Sequence, residues 1–273
     1  SGGNYSISLV ANDQPYNSYQ GLVGYLKNAT LSDLGRSGTP VSGFVNGNTN
    51  VGGLAGAAYF GSVNNVYSSA VVTGLSDIVG GVVGNLSAGS GISYAHQSTG
   101  NVTGVNYVGG IVGYMLDGTG IGYSDSVGAT VAGTGSVIGG LVGLDKANAP
   151  VTSSYSTNTV NGVSLVGGLV GENSGPITNS YATGAVTATG SSAGGLSGGN
   201  TRWGGSITNS HATGNVTGAG NVGGLVGQND STITDSYATG NVIAPNASNV
   251  GGLGGNMAFP LYNSYATGNV SGS

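Results

Sequence analysis

Asn221-Val-Gly-Gly-Leu-Val-Gly227 decides the architecture, because the chain keeps returning to it. The phrase recurs at Val51-Gly-Gly-Leu-Ala-Gly56, Val79-Gly-Gly-Val-Val-Gly84, Val108-Gly-Gly-Ile-Val-Gly113 and Ile138-Gly-Gly-Leu-Val-Gly143. It follows again at Val166-Gly-Gly-Leu-Val-Gly171, Ala193-Gly-Gly-Leu-Ser-Gly198 and Val250-Gly-Gly-Leu-Gly-Gly255, and a worn copy stands at Gln20-Gly-Leu-Val-Gly24. From Val51 the steps are 28, 29, 30, 28, 27, 29 and 28 residues. A fixed period in this range describes stacked units, none of which buries its apolar face alone.

Outward from the phrase, each unit has a second half. Ile177-Thr-Asn-Ser-Tyr-Ala-Thr-Gly-Ala-Val186 returns nearly unchanged at 207–216, 233–242 and 261–270. Residues 63–72 and 151–160 keep the same ten-residue frame, while 92–102 and 121–131 carry one extra residue, which a bulge or corner absorbs. Alternate residues of a strand share a face. Ile177 and Tyr181 therefore share one, and Val186 has the opposite parity, so an inward Ile177 and an inward Val186 require a corner near Gly184. A second bend is expected at Gly167-Gly168 and a third at Gly171-Glu-Asn-Ser-Gly-Pro176. The expectation is an all-β, parallel β-solenoid of about nine coils of ~28 residues, with three short strands per coil. The crossover rule makes it right-handed. Residues 1–19, with a strand over 5–10, are read as a lead-in or cap, and 20–273 as the solenoid.

Composition fits this and narrows function. The chain has 273 residues, 58 of them Gly, with four Lys and Arg, nine Asp and Glu, and no Cys. So much Gly disfavours helices. A net charge of −5 gives no basic footprint for nucleic acid or an anionic membrane. No apolar run is long enough for a membrane span, no signal peptide opens the chain, and no disulfide framework exists. The chain stops three residues after Val270 without a polar capping unit, so the segment is expected to come from a longer protein and to fray or associate at that end.

Val-Gly-Gly-Leu-Val-Gly combined with Asn-Ser-Tyr-Ala-Thr-Gly-Asn-Val at a period near 28 resembles the GLUG-motif repeat, over about residues 20–273. Such repeats occur in large bacterial secreted and surface proteins, including filamentous haemagglutinin-like adhesins and immunoglobulin A-specific peptidases. The resemblance implies a stalk or passenger segment, secreted and displayed at the bacterial surface. Ser197 and Gly254 depart from the motif where Val is usual.

Few residues are of a type and spacing that carry chemistry. Asp117 with Asp145, and Asp230 with Glu172, are the carboxylate pairs that neighbouring coils can bring together as a glycosidase requires. Solvated turn acids are the plainer reading. His96 and His211 have no spacing that implies an orienting third group. With no Cys and no His pair at ligand spacing, no metal, cofactor or catalytic residue is assigned; an adventitious ion near Asp230 and Asp235 is the nearest alternative. Two columns remain for ligand contact. The aromatic one is Tyr67, Tyr155, Tyr181, His211, Tyr237 and Tyr265, either a packing ladder or a stripe for sugar rings. The polar one is Thr187, Thr217 and Ser271, broken by Ile243, too irregular for an ice-binding surface. An Asn column at 65, 179, 209 and 263, joined by Asp235, is expected to form an amide ladder.

The reading is a non-catalytic adhesin stalk whose partners are a host or surface receptor, a glycan among the candidates, or further copies of itself. The alternatives are a carbohydrate-binding or polysaccharide-degrading β-helix and, third, an ice-binding solenoid, which thermal hysteresis would reveal.

Overall fold

The computed structural model describes residues 8–13, 16–116, 118–146, 148–201 and 204–272. Residues 5–7 of the expected lead-in strand lie outside them; its continuation, Ser8–Asp13, runs parallel to Ser42–Gly47. The described chain contains strands, turns and bends and no helix. It winds into a parallel β-solenoid of about eight turns of about 29 residues, close to the expected count and period.

One coil shows the plan. Its strands are Ser164–Gly167, Val170–Asn173, Ile177–Thr178, Tyr181–Ala182 and Val186–Ala188. Val166 lies between Ile138 and Ala193 of the adjacent coils, Val170 between Val142 and Ser197, Ile177 between Val151 and Ile207, and Val186 between Val160 and Val216. The repeat phrase is therefore the register itself: like pairs with like.

Bends fall at Gly168-Leu169, one residue beyond the expected Gly167-Gly168, and at Gly175 and Gly184 as expected. The section is nevertheless divided more finely than three strands. A fourth corner separates Val186–Ala188 from Ser192–Gly194, and a kink at Asn179 splits the Ile-Thr and Tyr-Ala strands, giving four sheets and five strands in this coil. The fourth corner has no constant residue to announce it. It is Val163 alone in one coil, 189–191 in the next and 245–248 later, and this variation feeds the drift of the period.

The kink has a backbone cause. Asn65, Asn179, Asn209, Asp235 and Asn263 all have positive φ, a region Asn and Asp tolerate better than other L-residues. Tyr94, Tyr123 and Ser153 hold the same place in their coils with the same sign of φ. The Asn column thus exists for its conformation. Only part of it forms the expected amide ladder, with Asn209 Nδ2 donating to Asn179 Oδ1 and Asn65 Nδ2 to Asp33 Oδ1. The kink removes a strand bond, and the next residue restores it. The N–H groups of Ser154, Ser180, Ser210 and Ser236 donate to the Oγ of Ser180, Ser210, Ser236 and Ser264 in the following coils. Each of these four acceptor hydroxyls donates in turn to the carbonyl two residues back. The Asn-Ser pair of the repeat is a kink and its repair.

Gly184 does not have a left-handed backbone. Its requirement is steric: a Cβ on Gly184, Gly214, Gly240 or Gly268 would overlap a carbonyl oxygen of the preceding coil. The Gly-Gly pairs act alike, with a Cβ on Gly167 overlapping the Val170 carbonyl and one on Gly168 the Gly195 carbonyl. The extra residue of the two eleven-residue frames sits at Thr99 and Gly128, both at positive φ just beyond the Tyr-Ala strand, where a corner absorbs it.

Two apolar clusters run along the interior. One is built on the Leu54-to-Leu225 and Val63-to-Ile233 columns, the other on the Val45-to-Val242 and Val51-to-Val222 columns. Each buried Val or Leu contributes roughly 1.5–3 kcal/mol. In the last described coil Leu261 and Val270 are exposed, whereas Ile233 and Val242, one coil earlier, are fully covered.

Candidate functional site

The aromatic column is longer than its sequence signal. Tyr67 pairs in register with His96, His96 with Asp125, and Asp125 with Tyr155; from there the column continues through Tyr181, His211 and Tyr237 to Tyr265. The eleven-residue frames hid His96 and Asp125, because their extra residue breaks the spacing to the following Val. The signal that could have found them is the distance from the preceding Ile: His96 and Asp125 each stand four residues after it, as Tyr181 does after Ile177.

From Tyr155 to Tyr265 the rings stack face to face, with centroids 4.8, 5.0, 4.6 and 5.3 Å apart and planes within 9°. Offset stacking contributes about 0.5–1.5 kcal/mol per contact. The ring faces cover one another, and the column offers solvent its ring edges. Burial lowers the pKa of His211, which favours its neutral form. A second, exposed stack stands beside the first, Tyr94 on Tyr123 at 5.2 Å.

The column is interrupted at Asp125. His96 stacks on Tyr67 at 4.3 Å, and its Nδ1 bonds Asp125 Oδ1. Burial pushes the Asp125 carboxyl up, partly offset by the charge and hydrogen bond of His96. A cavity of about 450 Å³ opens here, lined by Arg36, Tyr67, His96, Ser98, Asp125 and Tyr155, with the turn at 37–40 of the first coil as part of its wall. Arg36 is braced by its Nε donating to Thr39 Oγ1.

The expected carboxylate pairs fare differently. Asp117 lies outside the described residues. Its proposed partner Asp145 is fully buried and faces the core, away from any groove. Glu172 and Asp230 do line one cavity, of about 170 Å³, separated by the coil that carries Gly199. Burial raises the Glu172 pKa, with Lys146 opposing, and Asp230 accepts a hydrogen bond from Gln228. Among the described residues no group of three or more His, Asp or Glu is arranged to hold a metal. The Thr column is in register but mixed, running Thr187, Thr217, Ile243 and Ser271.

Asp145 belongs to an inner column that the sequence reading missed. Leu86, Met115, Asp145, Asn173, Asn200 and Asn229 follow one another in register, so the column turns from apolar to polar midway. Asn173 Nδ2 donates to Asn200 Oδ1 at 2.8 Å and Asn200 Nδ2 to Asn229 Oδ1 at 2.7 Å. Both Asp145 oxygens and Asn173 Oδ1 lack a hydrogen-bond partner of good geometry, although the Ala149 and Gly175 amides stabilise the carboxylate weakly. Desolvation pushes the Asp145 pKa up to about 8, so it is mainly protonated at neutral pH. A proton gives Asp145 a donor, and Asn173, whose Oδ1 is unpartnered, is its register neighbour one coil on. Between about pH 4 and 8 the folded chain then holds a proton that the unfolded chain has lost. Stability should fall as pH rises through that window, by up to about 1.4 kcal/mol per unit. Asp145→Asn should continue the ladder, flatten this slope and stabilise the fold by about 2–4 kcal/mol at pH 7. Urea unfolding of both proteins at pH 5 and pH 8 checks it.

The GLUG motif matches residues 162–187, 189–217 and 218–243. These three GLUG windows are successive coils of the stack, and they include the Tyr181, His211 and Tyr237 rungs of the ladder. No curated protein is similar enough to match the sequence. Among solved structures, that of a "putative immunoglobulin A1 protease" from Bacteroides ovatus is similar over 89% of this chain and 77% of that one, with a TM-score of 0.52 and 19% identity. At that identity the likeness is one of fold.

Proposed function

We propose that the chain is a rigid, non-catalytic stalk or passenger segment of a bacterial surface adhesin of the filamentous haemagglutinin-like kind. The observation that carries this is the continuity of register: every wall is hydrogen-bonded coil to coil along the described length. Such a stack holds its ends apart and presents long lateral faces for attachment or self-association. The GLUG windows support it, because resemblance to that repeat implies a stalk or passenger segment. The Bacteroides neighbour's description brings an enzyme into consideration, but here His96 is engaged by Asp125 and Tyr67 in an open groove, and no hydroxyl bonds its second nitrogen among the described residues. The place of action is the cell exterior, with a receptor, a surface or a second copy as partner.

Cells displaying this chain on an unrelated membrane anchor should attach to host cells or abiotic surfaces, or clump, more than cells carrying the bare anchor. Equal attachment and clumping by the two would contradict the proposal.

A further inference from the structure

We propose that the break in the aromatic ladder at Asp125 is a binding slot for one neutral pyranose ring of a glycan. This does not depend on the stalk reading. Between Tyr155 and Tyr265 the facing ring surfaces cover one another, so no sugar can stack inside that run, and the outer face of Tyr155 is turned toward the Asp125 rung. At Asp125 the rung carries a short carboxylate where its neighbours carry rings. His96 and Tyr155 are two rungs apart, roughly 9.6 Å at the ordinary strand spacing. One inserted ring would then lie about 4.8 Å from each, the spacing the column itself uses.

The polar groups suit a sugar better than a flat hydrocarbon. Asp125 forms the floor. Its Oδ1 is held by His96 Nδ1, and its Oδ2 has no hydrogen bond among the described residues, so it can accept from a sugar hydroxyl. Asp125 is 14% exposed and His96 26%, enough to be reached from the cavity. Ser98 and the braced Arg36 add donors at the rim. Apolar C–H faces against rings above and below, with hydroxyls meeting a carboxylate and donors at the edge, is the chemistry of a pyranose. The cavity, at about 450 Å³, takes one such residue and leaves the chain on either side in solvent.

The test uses saturation-transfer NMR with the methyl glycosides of glucose, galactose, mannose and N-acetylglucosamine. At least one should show transfer from the wild-type chain. Asp125→Tyr completes the ladder, so it should keep or raise the melting temperature while abolishing that transfer. Tyr155→Ala should weaken binding at least tenfold, and Tyr237→Ala, remote from the slot, should leave it unchanged. No transfer from any of the four sugars would overturn the proposal. So would undiminished binding by a folded Asp125→Tyr, or loss of binding in Tyr237→Ala alone. Binding of phenol with none of the sugars would likewise overturn it, showing a slot for flat aromatic rings.

Discussion

Leu169→Asp is expected to destroy the cooperative unfolding transition of the middle coils, at a cost above about 5 kcal/mol. Leu169 is fully buried, in the column between Leu141 and Leu196, and its N–H bonds the Leu196 carbonyl. Removing the side chain alone, as in Leu169→Ala, should cost about 2–5 kcal/mol through lost transfer energy and the cavity left behind. The carboxylate adds desolvation with no partner in reach. Each coil is stabilised mainly by its two neighbours, so the defect should propagate in both directions. Circular dichroism melting separates the outcomes: a broadened or absent transition is expected, and an unchanged melting temperature would place Leu169 outside the core.

Gly214→Ala is the second large effect, expected to cost more than about 3 kcal/mol although it adds one methyl group at a bend. Gly214 does not have positive φ, so backbone strain is not the cause. The added Cβ would overlap the Gly184 carbonyl oxygen, a backbone atom that cannot swing aside as a flexible side chain could. Relief requires prying two coils apart, which weakens the hydrogen bond from Thr213 N to the Ala182 carbonyl and the packing beneath it. Gly91→Ala is the control. A Cβ there meets nothing within 4 Å, so the change should stay within about 0.5 kcal/mol. Equal losses in the two variants would show that glycine acts through chain flexibility and not through close approach.

The architecture was legible because the repeat phrase and the hydrogen-bond register are the same object. Val166, Leu169, Ile177 and Val186 fall where their periodicity puts them. What escaped the sequence lies where coils differ. The fourth corner has no fixed residue, and the inner column changes character from Leu86 and Met115 to Asp145 and Asn173, so neither repeats as a pattern. The candidate slot was hidden for a related reason. Thr99 and Gly128 shift the spacing in two coils, so His96 and Asp125 drop out of a column counted back from the Val. The Ser column was visible as a repeat, but its purpose appears only once the left-handed Asn before it is seen.

The central claim is that successive coils lie one rung apart with equivalent residues superposed. The chain has no Cys, so paired spin labels can be placed without background. Thr73, Thr103, Thr217 and Ser271 occupy one outer column, at register positions one, two, six and eight. Electron–electron dipolar distances for Thr103 with Thr217, Thr73 with Thr217 and Thr103 with Ser271, each changed to Cys and labelled, should be about 19, 24 and 29 Å, rising by about 4.8 Å per rung. Distances that fail to rise in that order, or that exceed one rung per coil by a wide margin, would contradict the stack.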